Sequence, residues 1–186
     1  MIGKTIADLN PGDRAELVRT VAMGDIATFV DAVGDYNPIH SDRAYAATTP
    51  FREPIAPGIY TAGLISAVIG TQLPGPGAVY LSQTLKFVKP VKAGDTITAR
   101  VEVIEVIRER NRIRLSTVCT NAAGEEVLSG EAWVLPSRVA ITYERPAPAP
   151  SFATLVWQPW TWAAETAAAW TAVGLSLFAP PPVRRA

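Results

Sequence analysis

The stretch Gly58-Ile-Tyr-Thr-Ala-Gly-Leu-Ile-Ser-Ala-Val-Ile-Gly70 is apolar on almost every side when it is drawn as a helix. A helix that is apolar all round is normally buried, so we predict that this segment lies at the centre of the fold. Its first turn carries no acidic side chain. We therefore expect the first backbone N–H groups of the helix to remain free for a ligand.

The chain after this helix alternates between apolar and polar residues, which is typical of half-buried strands. Runs of this kind cover residues 79–87, 96–103, 112–117 and 126–135. Short turns, including those at 93–95 and 121–126, separate the last three runs, so we expect antiparallel pairing. Residues 15–22 form a further predicted strand. The simplest packing is an α+β fold in which the antiparallel sheet wraps around the central buried helix from Gly58.

The first of these runs has a distinct apolar side. That side consists of Val79, Leu81, Leu85 and Phe87, which alternate with more polar neighbours. Because successive side chains of a strand point to opposite faces, we expect these four residues to belong to the half-buried face of the sheet.

The bulk composition excludes several classes of protein. Lys and Arg number 17, as do Asp and Glu, so no basic excess points to nucleic acid. The single cysteine, Cys119, cannot form an internal disulfide, and it lies in a strand pattern that places it in the core. The N-terminal sequence lacks the apolar segment of a secretory signal. We expect a cytoplasmic protein.

The composition also divides the chain in two. Residues 1–143 carry the helix and strand patterns, which predict one domain. Residues 144–186 begin with ERPAPAPS, a Pro/Ala linker, and then become apolar and rich in tryptophan. The second part is predicted to add an extra C-terminal helix.

A polar loop follows a short predicted helix near the start of the chain. The helix is indicated by four apolar residues at helical spacing, Ile26, Phe29, Val30 and Val33. Gly34 can end it in the left-handed conformation. The loop GDYNPIH at 34–40 then places Asp35 five residues before the only histidine, His40. An imidazole titrates near neutrality and a nearby carboxylate tunes it, so the pair can share proton transfer.

Spacing alone leaves other interpretations open. Asp35 capping a turn, with His40 at the surface or packed in the core, is the more frequent outcome of such a spacing. One histidine and one cysteine far apart do not make a usual zinc site, so we expect no metal. The sequence GPGAV at 75–79 is too short a glycine signal to indicate nucleotide binding.

Residues 29–40, FVDAVGDYNPIH, followed by Ala46, resemble the hydratase 2 motif of the MaoC-like (R)-specific enoyl-CoA hydratases. That motif runs from an aromatic residue through G-D-x-N-P-aliphatic-H to a small residue. The segments 57–75 and 79–91 also look like the short bacterial monofunctional members, which are associated with polyhydroxyalkanoate precursor supply. The resemblance covers about residues 8–137.

This resemblance implies a hot-dog fold, an acyl-CoA thioester substrate and a homodimer. The implied reaction is reversible hydration of a trans-2-enoyl-CoA to an (R)-3-hydroxyacyl-CoA. Asp35 and His40 would hold and activate the water, and Asn37 would orient the water or the loop. The N–H of Gly58 would bind the thioester oxygen, and Ser66 would line the site. No cofactor is needed, because the thioester stabilises the developing charge.

The sequence departs from the family pattern at two positions. Val33 stands where the pattern prefers a smaller residue, and Pro57 stands where some relatives have histidine. Two alternatives remain: a thioesterase with the same fold, and a non-catalytic acyl-CoA-binding or structural module. Neither would need the whole GDxNPxH constellation.

The C-terminal segment 152–178 lies outside the resemblance. It carries four of the five tryptophans, and Glu165 is the only ionisable residue between Trp160 and Phe178. We predict a helix that starts at Pro159 and lies in an interface, which suits its tryptophans and Glu165 better than a bilayer span. The expected role is attachment to a storage-polymer granule or a membrane. The alternative is packing on its own domain or on a dimer mate.

Overall fold

The computed structural model of the protein describes residues 1–144. The helices are α1 (Met23–Val33), α2 (Arg43–Thr48) and α3 (Gly58–Thr71). The strands are β1 (Ile2–Gly3), β2 (Arg14–Thr20), β3 (Val79–Gln83), β4 (Lys86–Phe87), β5 (Thr96–Ile107), β6 (Arg112–Thr120), β7 (Glu126–Leu135) and β8 (Ile141–Thr142). Single 3-10 turns lie at Ile6–Asp8, Pro38–His40 and Arg108–Arg110.

Six of the strands form one antiparallel sheet. Its order is β2-β5-β6-β7-β3, and β4 also pairs with β7. The long neighbours β5, β6 and β7 pair along most of their length, as their short connections predict. β1 and β8 form a separate two-stranded ribbon. Because α3 packs against β2, β5 and β6, the expected hot-dog arrangement of sheet around helix is confirmed.

The core lies between α3 and the sheet. On α3 the side chains of Ile65, Val68 and Ile69 are at most 2% exposed. Alternate residues of β5 meet them in the same cluster: Ile97, Ala99, Val101 and Val103. The alternation is the expected one for a strand with one buried face. Full burial of a side chain of this size stabilises the fold by roughly 1.5–3 kcal/mol.

One side of α3 is exposed, so the prediction of a helix buried all round is wrong for that side. Its residues are spaced three or four apart: Ile59, Gly63, Ser66 and Gly70. The side chain of Ile59 is 56% exposed. The physical reason is that the sheet covers α3 from one direction only. A helix that is apolar on every side does not reveal which side that will be.

The predicted strand at 79–87 is divided into β3 and β4, and its faces differ from the expectation. Three of the four predicted core residues are exposed: Val79, Leu81 and Phe87. In β3 the residue that packs on the core is Tyr80. Its hydroxyl donates to Gln83 Oε1 at 2.6 Å, and Gln83 Nε2 donates to the buried Thr117 hydroxyl at 3.0 Å. Burial raises the pKa of Tyr80 to about 12, so the hydroxyl stays a neutral donor.

The N-terminal predictions are confirmed with small shifts. Ile26 and Val30 are buried on α1, but Val33 is 58% exposed because it lies in the last turn. The strand predicted at 15–22 is β2, one residue earlier at its start and two residues earlier at its end. The predicted tail and its helix lie almost wholly outside residues 1–144. Within those residues, no helix combines the length and apolar content that crossing a bilayer requires.

Candidate active site

The loop that carries the aspartate begins where α1 stops. Gly34 takes the left-handed conformation, with φ of 74°, and its N–H donates to the Val30 carbonyl at 2.8 Å. The Asp35 N–H donates to the same carbonyl at 3.1 Å. A residue with a Cβ is strained at such a φ, so glycine is suited to this position. The reversal turns the chain away from the helix axis directly before Asp35.

Asn37 and Pro38 shape the turn that holds the histidine. Asn37 caps the turn Pro38–His40, because its Oδ1 accepts from the Ile39 N–H at 3.3 Å. The His40 N–H donates to the Asn37 carbonyl at 3.0 Å. The side-chain contact in the structure is therefore with the loop backbone, which gives Asn37 a part in fixing the position of His40.

The His40 ring is almost fully buried and held by one backbone carbonyl. Its Nδ1 lies 2.7 Å from the carbonyl oxygen of Ile55, and its side chain is 10% exposed. A carbonyl oxygen only accepts, so Nδ1 carries the proton. In the neutral ring, Nε2 is then a free acceptor. The Ile55 N–H donates to the Ile39 carbonyl at 3.2 Å, so the loop and the 55–58 segment are tied together.

The free ring nitrogen faces the aspartate. The distance from His40 Nε2 to Asp35 Oδ2 is 3.5 Å, and the Asp35 side chain is 44% exposed. This separation exceeds the usual 2.7–3.2 Å of a direct N–H···O bond. Two acceptors at this distance can together accept both hydrogens of one small donor. The structure thus brings together the two residues that the sequence paired.

The start of α3 presents free backbone donors. Its N-cap residue is Pro57, which supplies no side-chain cap, and the first turn contains no acidic residue. Among residues 1–144 no group accepts a hydrogen bond from the Gly58 N–H. The partial positive charge of a helix N-terminus favours an anion or a polarised carbonyl oxygen there.

A cavity of about 430 Å³ opens beside Gly58. It lies between the segments 51–61 and 87–91, with Val127 also in its wall. The Phe87 ring covers Gly58 so closely that a Cβ there would come within 2.7 Å of a ring carbon. A side chain at position 58 would therefore force the Phe87 ring or the start of α3 to move. Ile55, whose carbonyl holds His40, lines the same cavity.

Comparison with known proteins identifies the family of this chain. Residues 10–125 match the family described as the MaoC like domain, a range that includes Asp35, His40, Gly58 and Phe87.

The chain belongs to the MaoC-like family.

Relatives of this MaoC-like domain include proteins named as a dehydratase and as hydratases of CoA thioesters. It is 53% identical over 128 residues to the 3-hydroxybutyryl-CoA dehydratase of Methylorubrum extorquens, covering 68% of this chain and 80% of the relative. It is 46% identical over 128 residues to the (R)-specific enoyl-CoA hydratase of Rhodospirillum rubrum, covering 69% and 88%. The solved (R)-hydratase from A. caviae involved in PHA biosynthesis matches with a TM-score of 0.66 and 40% identity, covering 68% and 96%.

Ser66 lies apart from the other predicted site residues of the MaoC-like domain. It is on the exposed side of α3, two turns after Gly58. Within the part of the chain that the structure describes, no hydrogen bond joins it to Asp35 or His40. Like Asp35, Asn37 and His40, it does not itself line the cavity beside Gly58; among the predicted site residues only Gly58 does.

Cys119 lies in the core, as its strand pattern predicts. It is fully buried, and its thiol donates to the Thr61 carbonyl at 3.8 Å. Burial raises the pKa of Cys119 to about 12, so the thiol remains protonated at neutral pH and is a poor nucleophile. Residues 1–144 contain no group of three or more His, Cys, Asp or Glu side chains placed to hold a metal ion.

Sequence reasoning missed the residues that complete the site. Ile55 fixes the tautomer of His40 through its carbonyl, and Phe87 forms a wall over Gly58. A backbone carbonyl leaves no residue-type signal, so the role of Ile55 could not be read from the sequence. Phe87 had a signal, but its alternation pattern assigned it to the core.

Proposed function

We propose that this MaoC-like domain is an (R)-specific enoyl-CoA hydratase. It adds water reversibly to a trans-2-enoyl-CoA and forms an (R)-3-hydroxyacyl-CoA. The observation that carries the proposal is the buried His40 facing Asp35 at 3.5 Å, beside a cavity at the free N-terminus of α3. The names of the relatives at 53% and 46% identity support the same chemistry.

In the proposed mechanism, Asp35 and His40 hold one water. The carboxylate and the His40 Nε2 accept its two hydrogens, which directs an oxygen lone pair at the β-carbon of the enoyl group. The water oxygen bonds to the β-carbon as one of the two residues takes its proton. The π electrons move toward the thioester, and a proton is delivered to the α-carbon. General acid–base groups of this kind contribute typically ~10²–10⁴-fold to the rate.

The N–H of Gly58 is proposed to bind the thioester oxygen. As the β-carbon is attacked, charge moves onto that oxygen and an enolate develops. A backbone donor aimed at this position stabilises the transition state more than the ground state, and the dipole of α3 adds to the effect. The thioester accepts the electron pair, so the reaction needs no cofactor.

The apolar cavity is proposed to hold the reacting part of the acyl-CoA. Phe51, Phe87 and Val127 supply apolar walls next to the Gly58 donor. Asn37 acts as a positioning residue, since its side chain caps the turn that carries His40.

We also propose that the enzyme acts as a homodimer. β3 is an edge strand of the sheet and exposes Val79 and Leu81, while the open side of α3 exposes Ile59 and Ser66. Exposed apolar side chains on an unpaired strand favour pairing with a second copy. Ser66 would then line the substrate groove at the contact between subunits, which a single chain does not form.

The proposed cellular role is the supply of (R)-3-hydroxyacyl-CoA to polyhydroxyalkanoate synthesis. Support comes from the likeness to the A. caviae hydratase, which is described as involved in PHA biosynthesis. Residues 152–178 are proposed to attach the enzyme to a granule or membrane, because their tryptophans suit an interface.

A variant lacking 146–186 should stay active but leave the granule or membrane fraction. Aggregation or loss of the dimer would instead make the tail a structural cover.

One assay separates the proposed function from its alternatives. Crotonyl-CoA is incubated with the enzyme and a thiol reagent, and the enoyl absorbance is followed. Hydration removes the absorbance without releasing thiol, a thioesterase releases thiol, and a binding module does neither. Chiral chromatography should then give the (R)-3-hydroxy product; an (S) product would contradict the proposal.

A further inference from the structure

A second cavity, of about 320 Å³, lies where the two termini of the described chain meet. Arg108, Arg110 and Arg138 line it, with Glu109 as the single acidic residue in its wall. Hydroxyl and amide side chains complete the lining: Thr5, Ser137 and Asn111. This composition is suited to a phosphate group, which accepts hydrogen bonds from guanidinium and hydroxyl donors.

The arginines of this cavity keep their charge unneutralised. Within residues 1–144, Arg110 and Arg138 form no ion pair or side-chain hydrogen bond, and Arg108 donates only to backbone carbonyls, at 2.7 and 3.4 Å. By contrast, arginines of β2 and β5 are paired. Arg14 lies 3.0 Å from Glu102, and Arg100 lies 3.2 Å from Glu16. Arg43, Arg52 and Lys86 also form no ion pair within residues 1–144, so this cavity is distinguished by the three unpaired arginines that line it together.

Exposed apolar side chains lie near both ends of the described chain. Ile2 is 69% exposed and Val139 is 66% exposed, and Met1 and Tyr143 are also exposed. The ribbon of β1 and β8 holds them together, and the Met1 amine donates to the Tyr143 carbonyl at 2.7 Å. A bridge between Thr5 and Ser137 links the ribbon to the arginine cavity. Val139 directly follows Arg138, so an exposed apolar side chain adjoins the arginine cavity along the chain.

The described part of the chain stops at Glu144, two residues after β8. The sequence continues through the Pro/Ala linker into the tryptophan-rich segment 152–178, and Arg184 and Arg185 follow that segment. Arginines with exposed aliphatic and tyrosine side chains are the combination that an anionic lipid interface attracts.

We propose that this terminal face docks onto an anionic phospholipid surface. Arg108, Arg110 and Arg138 contact lipid phosphates, while Ile2 and Val139 enter the headgroup region. The inference does not depend on the proposed hydratase activity, because it uses no residue of the Asp35/His40 loop or of the cavity beside Gly58.

Vesicle co-sedimentation of the full chain tests the proposal. Vesicles of phosphatidylcholine, with and without phosphatidylglycerol, give the preference for anionic lipid. R110Q/R138Q should reduce that preference about 25-fold, on the order of fivefold per arginine. R14Q/R100Q removes the same charge from β2 and β5 and should leave the preference unchanged. I2S/V139S should weaken binding to both kinds of vesicle.

Four results would overturn the proposal. The wild-type chain could show no preference for phosphatidylglycerol. R110Q/R138Q and R14Q/R100Q could also lower that preference equally, which would mean that only the net charge of the protein matters. Inorganic phosphate could abolish vesicle binding where chloride of equal ionic strength does not, which would indicate a site for a free anion. Sedimentation velocity could show that R110Q/R138Q changes the oligomeric state, which would make the face a contact between copies of the chain.

Discussion

The cavity beside Gly58 and the cavity at the termini differ in how they use charge. The cavity beside Gly58 is largely apolar, and its neighbouring reactive pair places a single carboxylate, Asp35, against an imidazole that is 10% exposed. The cavity at the termini is lined by three arginines and sits among exposed apolar side chains. One is built to move protons beside a neutral thioester, and the other to meet fixed negative charge.

The difference shows that burial matters for proton transfer at His40 and not for attraction by the exposed arginines. The Ile55 carbonyl holds the buried His40 imidazole in one orientation, so its free nitrogen faces Asp35. Exposed arginines act through long-range attraction, which salt screens over a Debye length of about 10 Å at 0.1 M. Variants at the first cavity should therefore change the rate of chemistry, and variants at the second should change binding to surfaces.

The largest effect is expected at the reactive pair. His40→Gln and Asp35→Asn should each lower kcat by ~10²–10⁴-fold, because each removes a proton-transfer group with little change in shape. The rate of crotonyl-CoA hydration measures the loss of kcat. Circular dichroism and the melting temperature check that both variants fold. If either keeps more than about a tenth of wild-type kcat, its assignment to proton transfer is wrong.

The buried thiol of Cys119 provides the next test. Because burial raises the pKa of Cys119 to about 12, the thiol stays neutral below that pH and becomes reactive only as the pH approaches it. At pH 8 the folded protein should react with a disulfide reagent roughly a thousandfold more slowly than free cysteine. Protein unfolded in guanidinium is the control and should react at one thiol per chain. Fast labelling of the folded form would mean that the cavity opens into the core.

Gly58 tests the close approach of Phe87. In Gly58→Ala the new Cβ would lie 2.7 Å from the Phe87 ring, so the ring or the start of α3 must move. Displacement of the N–H donor should lower kcat/KM by about tenfold to a hundredfold. Adding Phe87→Leu should restore part of the loss, since a smaller side chain leaves space for the Cβ. Without such restoration, the loss would have to come from the backbone of Gly58 itself.

The smallest effect on catalysis is expected at the second cavity. R110Q/R138Q should keep kcat/KM for crotonyl-CoA within about twofold of the wild type, because sites that share no partners behave independently. R14Q/R100Q, with the same change in charge, is again the control. A loss of kcat/KM in R110Q/R138Q but not in R14Q/R100Q would mean that the two cavities act together, and it would contradict their separate roles.

Local sequence was sufficient to place Asp35 and His40 in one loop and to predict the central helix, whereas the catalytic role of the pair came from the resemblance to the hydratase 2 motif. Asp35 and His40 were predicted because one short loop holds both, with Gly34 to end α1 and Asn37 to cap the turn. The helix from Gly58 was predicted because its apolar residues are contiguous, and its uncapped start is itself a property of neighbouring residues. Such features depend on few residues along the chain, so the pattern contains them.

Tertiary contacts decided the rest. The tautomer of His40 depends on the carbonyl of Ile55, fifteen residues away, and the wall over Gly58 comes from Phe87, twenty-nine residues away. The outward turn of Val79 and Leu81 follows from the hydrogen bonds of Tyr80 and Gln83. The arginine cavity forms only where residues near 5, 108 and 138 meet. Each of these depends on which distant residues pack together, and periodicity along the chain does not contain that information.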